Sequence, residues 1–454
     1  MLEKFDINYV LLERHAEIAP QLGASLGLLP SGLRILEQLG CYNKIRDLAG
    51  DTYYRTRMRL FSGKTWVDPK TTTFSETLEE RIGYPQIFID RQMVIQVLFD
   101  SLRYKNRVLT NKRVNHVEHG ENKVYVHTQD GFVYSGDIVV GADGIHSTIR
   151  QEMWRIAHEA KSGLFQADPL SDLQCESRCI FGISKRPPGL PELPQQINAF
   201  FTDCNYMIIS APGDRYYWFL FTEVDKVYGK DIPRYTEEDE RRLAEEHFRD
   251  QLTETTTFED LYTNRLQTSL VSIEDHVFPR WYYRRIITMG DAAHKLHPIS
   301  AQGGNSALET AAVLVNTLLP VLKAKDSKDL PTESDIDTIF AKVQAKRFKR
   351  AVDALNQGRQ TNKASIKETF FSKIFVDYFF PLFGQKLIFH LIIKNTMSSS
   401  YIDSLPIPAR YTKAIARHQK HDPKRGWVIW ILMSVGAGAL VAFMHLTKEE
   451  PKTL

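Results

Sequence analysis

The sequence predicts an α/β fold interrupted by an inserted β-rich unit and followed by a C-terminal transmembrane helix. Three observations predict it. Two short apolar runs, Ile138-Val139-Val140 and Ile286-Ile287-Thr288-Met289, each lead straight into a glycine–acid turn. Between them, from Ser177 onward, short runs rich in aromatic and β-branched residues crowd together, at 179–183, 197–201, 206–210 and 216–222. Near the end, residues 427–446 contain no Lys, Arg, Asp or Glu, which is enough for about 30 Å of helix, one bilayer core.

The first turn is Gly141-Ala142-Asp143-Gly144-Ile145-His146-Ser147. The second is Gly290-Asp291-Ala292-Ala293-His294-Lys295-Leu296-His297-Pro298, followed by Gln302-Gly303-Gly304-Asn305. A strand that stops where a helix begins gathers small residues, a carboxylate and free helix N–H groups at one spot. That suits a ligand carrying phosphates and hydroxyls, although either turn alone also fits an ordinary strand–turn–helix junction. Elsewhere, residues 7–12 are expected to form a buried strand ending at Glu13, and 33–39 a short helix after Pro30-Ser31-Gly32. Asp90 is placed to N-cap a helix over 91–102, with Val94, Val97 and Leu98 at helical spacing. Residues 124–127 and 132–135 make a hairpin through Asp130-Gly131. A charged amphipathic helix is expected over 237–251, on the far side of the β unit, and another helix over 305–319. After Pro320, a charged linker (323–335) leads to a helix over 339–355. The run 370–393 is apolar and aromatic, but Lys373, Asp377, Pro381 and Lys386 interrupt it. It is therefore expected to lie on a membrane face, cap a pocket or pack as a core helix pair rather than span.

At 454 residues and 43% hydrophobic content, the chain can build two or three packed units. A net charge of +3, with no basic run interleaved with aromatics, argues against nucleic acid. Cys41, Cys175, Cys179 and Cys204 have neither zinc spacing nor a Cys-x-x-Cys arrangement, so reduced thiols facing the cytosol are expected. His294 and His297 have no carboxylate or thiol at ligand spacing, and no metal is expected there. The polar start of the chain carries no secretory signal. Trp427 and Trp430 stand at the head of the apolar tail. Lys413, Arg417, Lys420, Lys424 and Arg425 precede it, which places the large N-terminal part on the cytosolic side of a single-pass anchor.

Together, in this order and at this separation, the two glycine–acid motifs resemble those of flavin-dependent monooxygenases of the para-hydroxybenzoate hydroxylase type, a likeness covering residues 2–319. Leu11-Leu12-Glu13-Arg14, Gly-Ala-Asp-Gly-Ile-His-Ser and the apolar tail resemble most the fungal meroterpenoid and indole-diterpene epoxidases. The resemblance implies an FAD-binding Rossmann-like domain of the glutathione-reductase type in two parts (1–173 and 284–325). A β-rich substrate domain (174–283), a helical region (326–426) and the transmembrane helix (427–446) complete it. It implies FAD, with NADPH or NADH as reductant. Glu13 would hold the adenosine ribose, Arg91 would sit near the phosphates, and Gly27 would bring its backbone close to the flavin. Asp143 would serve both FAD and NAD(P)H, its turn capped by Ser147 and Arg150, and Asp291 would bind the ribityl hydroxyls. Gly304 would open the helix facing the flavin's pyrimidine oxygen, and Pro298 would lie near its reactive edge. Arg178 and Tyr206 would orient substrate and donate protons, with Tyr217 a rival to Tyr206. The implied substrate is a lipophilic prenylated olefin delivered from the membrane, in the family pattern that of the endoplasmic reticulum, with a membrane terpene cyclase downstream. Alternatives are an aromatic hydroxylase and a non-catalytic, membrane-anchored remnant.

One departure stands out. The family's first strand and Gly-x-Gly-x-x-Gly turn precede the acid-bearing strand, whereas here Gly23, Gly27 and Gly32 all follow Glu13. The expectation is a truncated chain that binds FAD weakly, lacking a helix N-terminus for the pyrophosphate.

Overall fold

The structure, a computed structural model, describes residues 1–20, 25–166, 168, 170–324, 331–366 and 369–421. The tail expected to span a membrane, 427–446, lies outside the described residues. The first unit opens with β1 (Leu11–Leu12), β2 (Ser25–Leu28), α1 (Pro30–Gln38) and α2 (Tyr42–Ala49). A hairpin, β3 (Arg55–Arg59) and β4 (Thr65–Val67), is followed by α3 (Phe74–Ile82), β5 (Ile87–Asp90), α4 (Arg91–Asp100) and β6 (Val108–Leu109). Next come β7 (Val114–His119), β8 (Val124–Thr128) and β9 (Val133–Gly136), an antiparallel sheet that contains the expected hairpin. It feeds β10 (Val139–Gly141) and α5 (Thr148–Glu159).

Helix α1 begins at Pro30, ahead of the expected residue 33, because a proline's fixed φ and missing N–H cost nothing in a first helical turn. The strand expected over 7–12 is corrected to two residues. Only Leu11 and Leu12 pair, in parallel with β6, and Val10 and Leu11 are 53% and 46% exposed. Among the described residues the other edge of β1 takes no strand, and β10 pairs on one side only, with the returning chain. Ile7 and Ile138, just ahead of these two strands, nonetheless pack on one apolar cluster around Ile287 and Val313.

The second unit contains β11 (Gln174–Lys185), β12 (Gln195–Phe201), β13 (Cys204–Ala211), β14 (Arg215–Tyr228), α6 (Glu237–Glu246), α7 (Phe258–Thr263) and β15 (Arg265–Val277). Helix α6 is shorter than the expected 237–251. It starts at a reciprocal cap between Thr236 and Asp239. The chain then returns through β16 (Tyr282–Tyr283), β17 (Ile286–Thr288) and β18 (His294–Lys295). The large sheet has eight strands in the order β18-β15-β11-β14-β13-β12-β3-β4. The hairpin at 55–67 thus joins the second unit's sheet, β3 lying parallel to β12, and a boundary drawn at 174 leaves it out. One face of this sheet packs Tyr206, Trp218 and Leu220 on Leu243, Phe258 and Leu261 of α6 and α7; the other face turns toward the first unit.

The chain continues with α8 (Gln302–Ala324), α9 (Glu333–Ile366), α10 (Phe370–Ile374), a π-helical stretch (Phe375–Gly384), α11 (Gln385–Met397) and α12 (Ala409–His421). Two described helices are long and apolar enough to cross a membrane: α8 and the continuous run Phe370–Met397. The first is a core helix, with Val313, Val315, Leu318 and Leu319 buried. The second leaves Phe370, Tyr378 and Leu382 exposed at 74%, 70% and 67%.

Helix α9 is far longer than expected, because its polar faces carry ion pairs to both units. Arg347 meets Glu309 of α8 at 2.6 Å with both side chains buried, and Arg350 meets the same carboxylate at 2.9 Å. Two turns further on, Arg359 grips Asp275 of β15 at 2.6 Å. Removing one member of a buried pair strands the other charge, so Glu309→Ala is expected to lower stability by about 3–5 kcal/mol. A denaturant midpoint unchanged by that substitution would contradict the strut.

Candidate active site

Both glycine–acid turns sit at the C-terminal ends of neighbouring parallel strands. β10 and β17 pair Val139 with Ile286 and Gly141 with Thr288, and the Met289 N–H donates to the Gly141 carbonyl at 2.9 Å. Ligands of open α/β sheets bind at such strand ends. Gly141 is required by close packing, since a Cβ there would come within 2.8 Å of Ile149 on α5. The Asp143 carboxylate accepts from the Ser147 hydroxyl and from the Ile149 N–H (3.0 Å), while the Ser147 oxygen accepts from the Arg150 N–H (2.9 Å). This acid is therefore partly committed to capping α5.

Arg150 is fully buried and joins the two turns. Its Nη1 donates to the Ala292 carbonyl at 2.8 Å, its Nη2 donates to the Ile145 carbonyl, and its guanidinium lies 4.0 Å above the Phe278 ring. Burial lowers its pKa to about 10, against the pull of Asp143 and Glu274, so it stays charged at neutral pH.

Gly290 adopts a left-handed φ of 58°, and Asp291 behind it is part-exposed, its carboxylate accepting from Lys295 at 2.7 Å. After the short turn Pro298–Ser300, Ala301 is left-handed and α8 begins at Gln302, earlier than the expected 305. A Cβ at Gly303 would meet nothing within 4 Å, so this end of α8 fronts open space. Gly304 instead packs against Leu26, and Gly27 against the Ala301 side chain, where an added Cβ would come within 2.8 and 2.7 Å. Asn305 locks that contact: its oxygen accepts from the Leu29 N–H (3.0 Å) and its amide donates to the Gly27 carbonyl (2.9 Å). The structure thus brings Gly27 and Gly304 together, and the close approach at Gly27 is to α8. Asn305 was not singled out from sequence; its place two residues beyond Gly303 was the available signal.

Glu13 follows β1, part-exposed, with its Oε1 accepting from the His15 N–H at 2.9 Å. Arg91 is exposed at the first position of α4. Asp90 is the N-cap by position, but its side chain does not cap. The carboxylate is taken by Arg215 of β14 at 2.7 Å, a link between the two units.

The sheet face turned to these motifs is apolar. Ile299 packs with Cys179, Ile209, Tyr217, Phe219 and Phe221, and the Phe221 ring lies 5.9 Å from that of His297. Tyr217 faces this side, and burial followed by Asp90 raises its pKa well above the ordinary range. Arg178 and Tyr206 do not face it, which corrects the expectation. Side chains alternate along a strand, so residues one position away point oppositely. Cys179 and Met207 face the motifs, whereas Arg178 donates to Thr222 (3.0 Å) beside Tyr235, and Tyr206 is buried against Phe258 with its hydroxyl on Asp250 (2.6 Å).

His297 bridges the units. Its Nδ1 accepts from the Ile299 N–H (3.3 Å), which leaves the proton on Nε2 to donate to the Ser177 hydroxyl of β11 (3.3 Å). His294 shares a hydrogen bond with Thr310 at 2.9 Å. Burial drives both imidazoles down to about 3, with Arg347 adding to the effect at His294 and Arg359 at His297. Because the folded values lie below the ordinary 6.5, the unfolded chain protonates first. This contribution to stability is fully present above pH 6.5 and is lost as pH falls toward 3. Each group contributes a slope of about 1.4 kcal/mol per pH unit. His297→Gln is expected to make the acid limb of stability shallower by one such increment, read from denaturant midpoints across that window.

Comparison with known proteins agrees with this geometry. The FAD binding domain family matches residues 1–336. FAD-dependent monooxygenase olcE of Penicillium canescens is 33% identical over 411 residues, 90% of this chain and 87% of that protein. FAD-dependent monooxygenase atmM of Aspergillus flavus is 31% identical, covering 96% of this chain and 90% of that protein. Among solved structures, Klebsiella pneumoniae HpxO complexed with FAD and uric acid superposes with a TM-score of 0.65 at 20% identity, covering 88% of this chain and 92% of that one. CtdE in complex with FAD and substrate gives 0.63 at 15% identity, covering 92% and 93%. These two likenesses show the fold. The chain belongs to the FAD-binding-domain family, among the fungal FAD-dependent monooxygenases.

Proposed function

We propose that this chain is an NADPH- or NADH-driven monooxygenase that epoxidises an olefin of a lipophilic, prenylated intermediate. The observation that carries the reading is the apolar face opposite the two turns. It includes a depression of about 240 Å³ lined by Phe181, Gly182, Ile183, Gln267, Thr268, Ser269 and Val271, with no charged side chain among them. Such a lining suits a hydrocarbon with few polar handles. A larger depression, about 390 Å³ between Tyr283, Arg284 and Glu333, is more polar and lies away from the turns.

The residues present fit the isoalloxazine and ribityl parts of a flavin. The open end of α8 at Gly303 would offer N–H groups and the positive end of a helix dipole to the pyrimidine oxygen. Asp291, now accepting from Lys295, would accept from the ribityl hydroxyls, and Glu13 and Arg91 would serve the adenosine end. Bound FAD, once reduced, supplies the oxygen chemistry. The protein positions the substrate, and the His297–Ser177 contact closes the sheet onto the Pro298 turn against water. With Arg178 and Tyr206 turned away, Tyr217 is a hydroxyl-bearing side chain on the face turned to the motifs.

Given NAD(P)H, O₂ and a prenylated phenol, the protein is expected to yield a product one oxygen heavier that has lost its terminal olefin and kept its ring protons. A ring-hydroxylated product with the olefin intact supports the aromatic hydroxylase reading instead. Asp291→Ala is expected to weaken flavin binding by about 1.5–3 kcal/mol, seen as reduced flavin per mole of purified protein; undiminished content would remove this aspartate from the site. The uncharged segment 427–446 is proposed as a membrane anchor for this cytosolic unit. Deleting 427–454 is expected to release the protein from membranes with flavin content unchanged. Retention after a salt wash would transfer the anchoring role to the run Phe370–Met397.

A further inference from the structure

We infer that the second unit carries a zinc site built from Cys204, His247 and Asp250, on the sheet face turned away from the flavin motifs. These residues come from different elements. Cys204 opens β13 just after the tight turn at Asp203, His247 is the C-cap of α6, and Asp250 ends the turn that follows. Their donor atoms converge. Cys204 Sγ lies 3.8 Å from His247 Nδ1 and 3.7 Å from Asp250 Oδ2, and Nδ1 lies 2.9 Å from Oδ2. With zinc–sulfur near 2.3 Å and zinc–nitrogen or zinc–oxygen near 2.0 Å, a tetrahedral ion separates its ligands by about 3.5 Å for sulfur to nitrogen or oxygen and about 3.3 Å for nitrogen to oxygen. The triangle matches those edges within a few tenths of an ångström.

Without a metal, the Cys204 thiol donates to Asp250 Oδ2 and His247 Nδ1 shares that same oxygen. The three donor atoms therefore already converge, and one cation can take all three in place of these hydrogen bonds. The Tyr206 hydroxyl donates to the same Asp250 oxygen at 2.6 Å, the kind of outer hydrogen bond that orients a ligating carboxylate. Cys204 and Tyr206 are buried at 2% and 1% exposure, while the His247 and Asp250 side chains keep 20% and 23%, so the fourth position is left to water. Thiolate, imidazole and carboxylate together suit a borderline divalent ion such as zinc. Binding breaks the S–H bond, forms a sulfur–zinc bond and releases the proton to solvent. The result is a clasp between the β12–β13 hairpin and the end of α6. The hairpin tip already touches α9, through the Asp203 N–H on the Ile366 carbonyl at 3.1 Å.

The test is titration of the full-length protein with zinc chloride against a chelating dye. One equivalent is expected to bind, weakened in both Cys204→Ser and His247→Gln by more than the roughly 10–100-fold that outer-shell changes cost. Flavin content should be the same in all three proteins. Cobalt(II) added to the wild type should give a thiolate-to-metal charge-transfer band in the difference spectrum, a readout that needs no variant to fold. Absence of that band, no retained zinc, or binding equal in the wild type and the His247→Gln protein overturns the proposal.

Discussion

The Arg150 guanidinium is the constraint on which the rest of the site depends. Two strand ends far apart in sequence must present their turns at a fixed separation, and backbone pairing alone ends at Gly141 and Thr288. Beyond that point the chain holds its geometry through one buried cation, bonded to a carbonyl on each turn and stacked on Phe278. Withdrawing a guanidinium from water costs several kcal/mol, which the carbonyl dipoles and the ring face offset only when both turns are in place. The cation therefore favours the single arrangement in which Asp143 and Asp291 flank neighbouring strand ends.

The same logic, on a larger scale, sets how the two units meet. Polar contacts that cross between them or through α9 include Asp90 with Arg215, Ser177 with His297, and Asp275 with Arg359. Each uses a buried or half-buried group whose partner comes from a distant part of the chain, and between them lies the apolar face of β11, β13 and β14. An oxidising centre that must exclude water needs such a face held at constant distance from the flavin, and polar pins at its margins hold it without adding charge to its middle. Neutral His297 suits this role, since a protonated ring beside Arg359 would place like charges in the interior.

Much of this was legible in the sequence, for identifiable reasons. The two glycine–acid turns could be read because each motif is local: strand, glycine, acid and helix start within a few residues. The hairpin at 124–135 and the β-rich insertion followed from alternation and turn residues in the same way. Arg178 and Tyr206, expected from the resemblance to be catalytic, were placed on the face that Cys179 and Met207 occupy, because alternation gives two faces without saying which one meets the partner. The hairpin at 55–67 joins the eight-stranded sheet through a parallel pairing with β12 that no local pattern announces. Cys204, His247 and Asp250 were invisible to spacing rules because a hairpin and a helix end bring them together.

The run Phe370–Met397 shows how a charge that looks like an interruption can have a use. From sequence, Asp377 and Pro381 argued against a membrane span. In the fold, the Asp377 carboxylate accepts from the Phe61 and Ser62 N–H groups at 2.9 and 3.0 Å, capping the β3–β4 loop. Val376, Phe375 and Phe380 pack on Met58, Leu60 and Trp66 of the same hairpin. Moving this helix into hydrocarbon would strip the carboxylate from two amides and uncover those apolar residues, while the opposite side, with Phe370, Tyr378 and Leu382, gains from leaving water. Crossing a membrane would therefore cost this run the contacts that hold it on the β3–β4 hairpin.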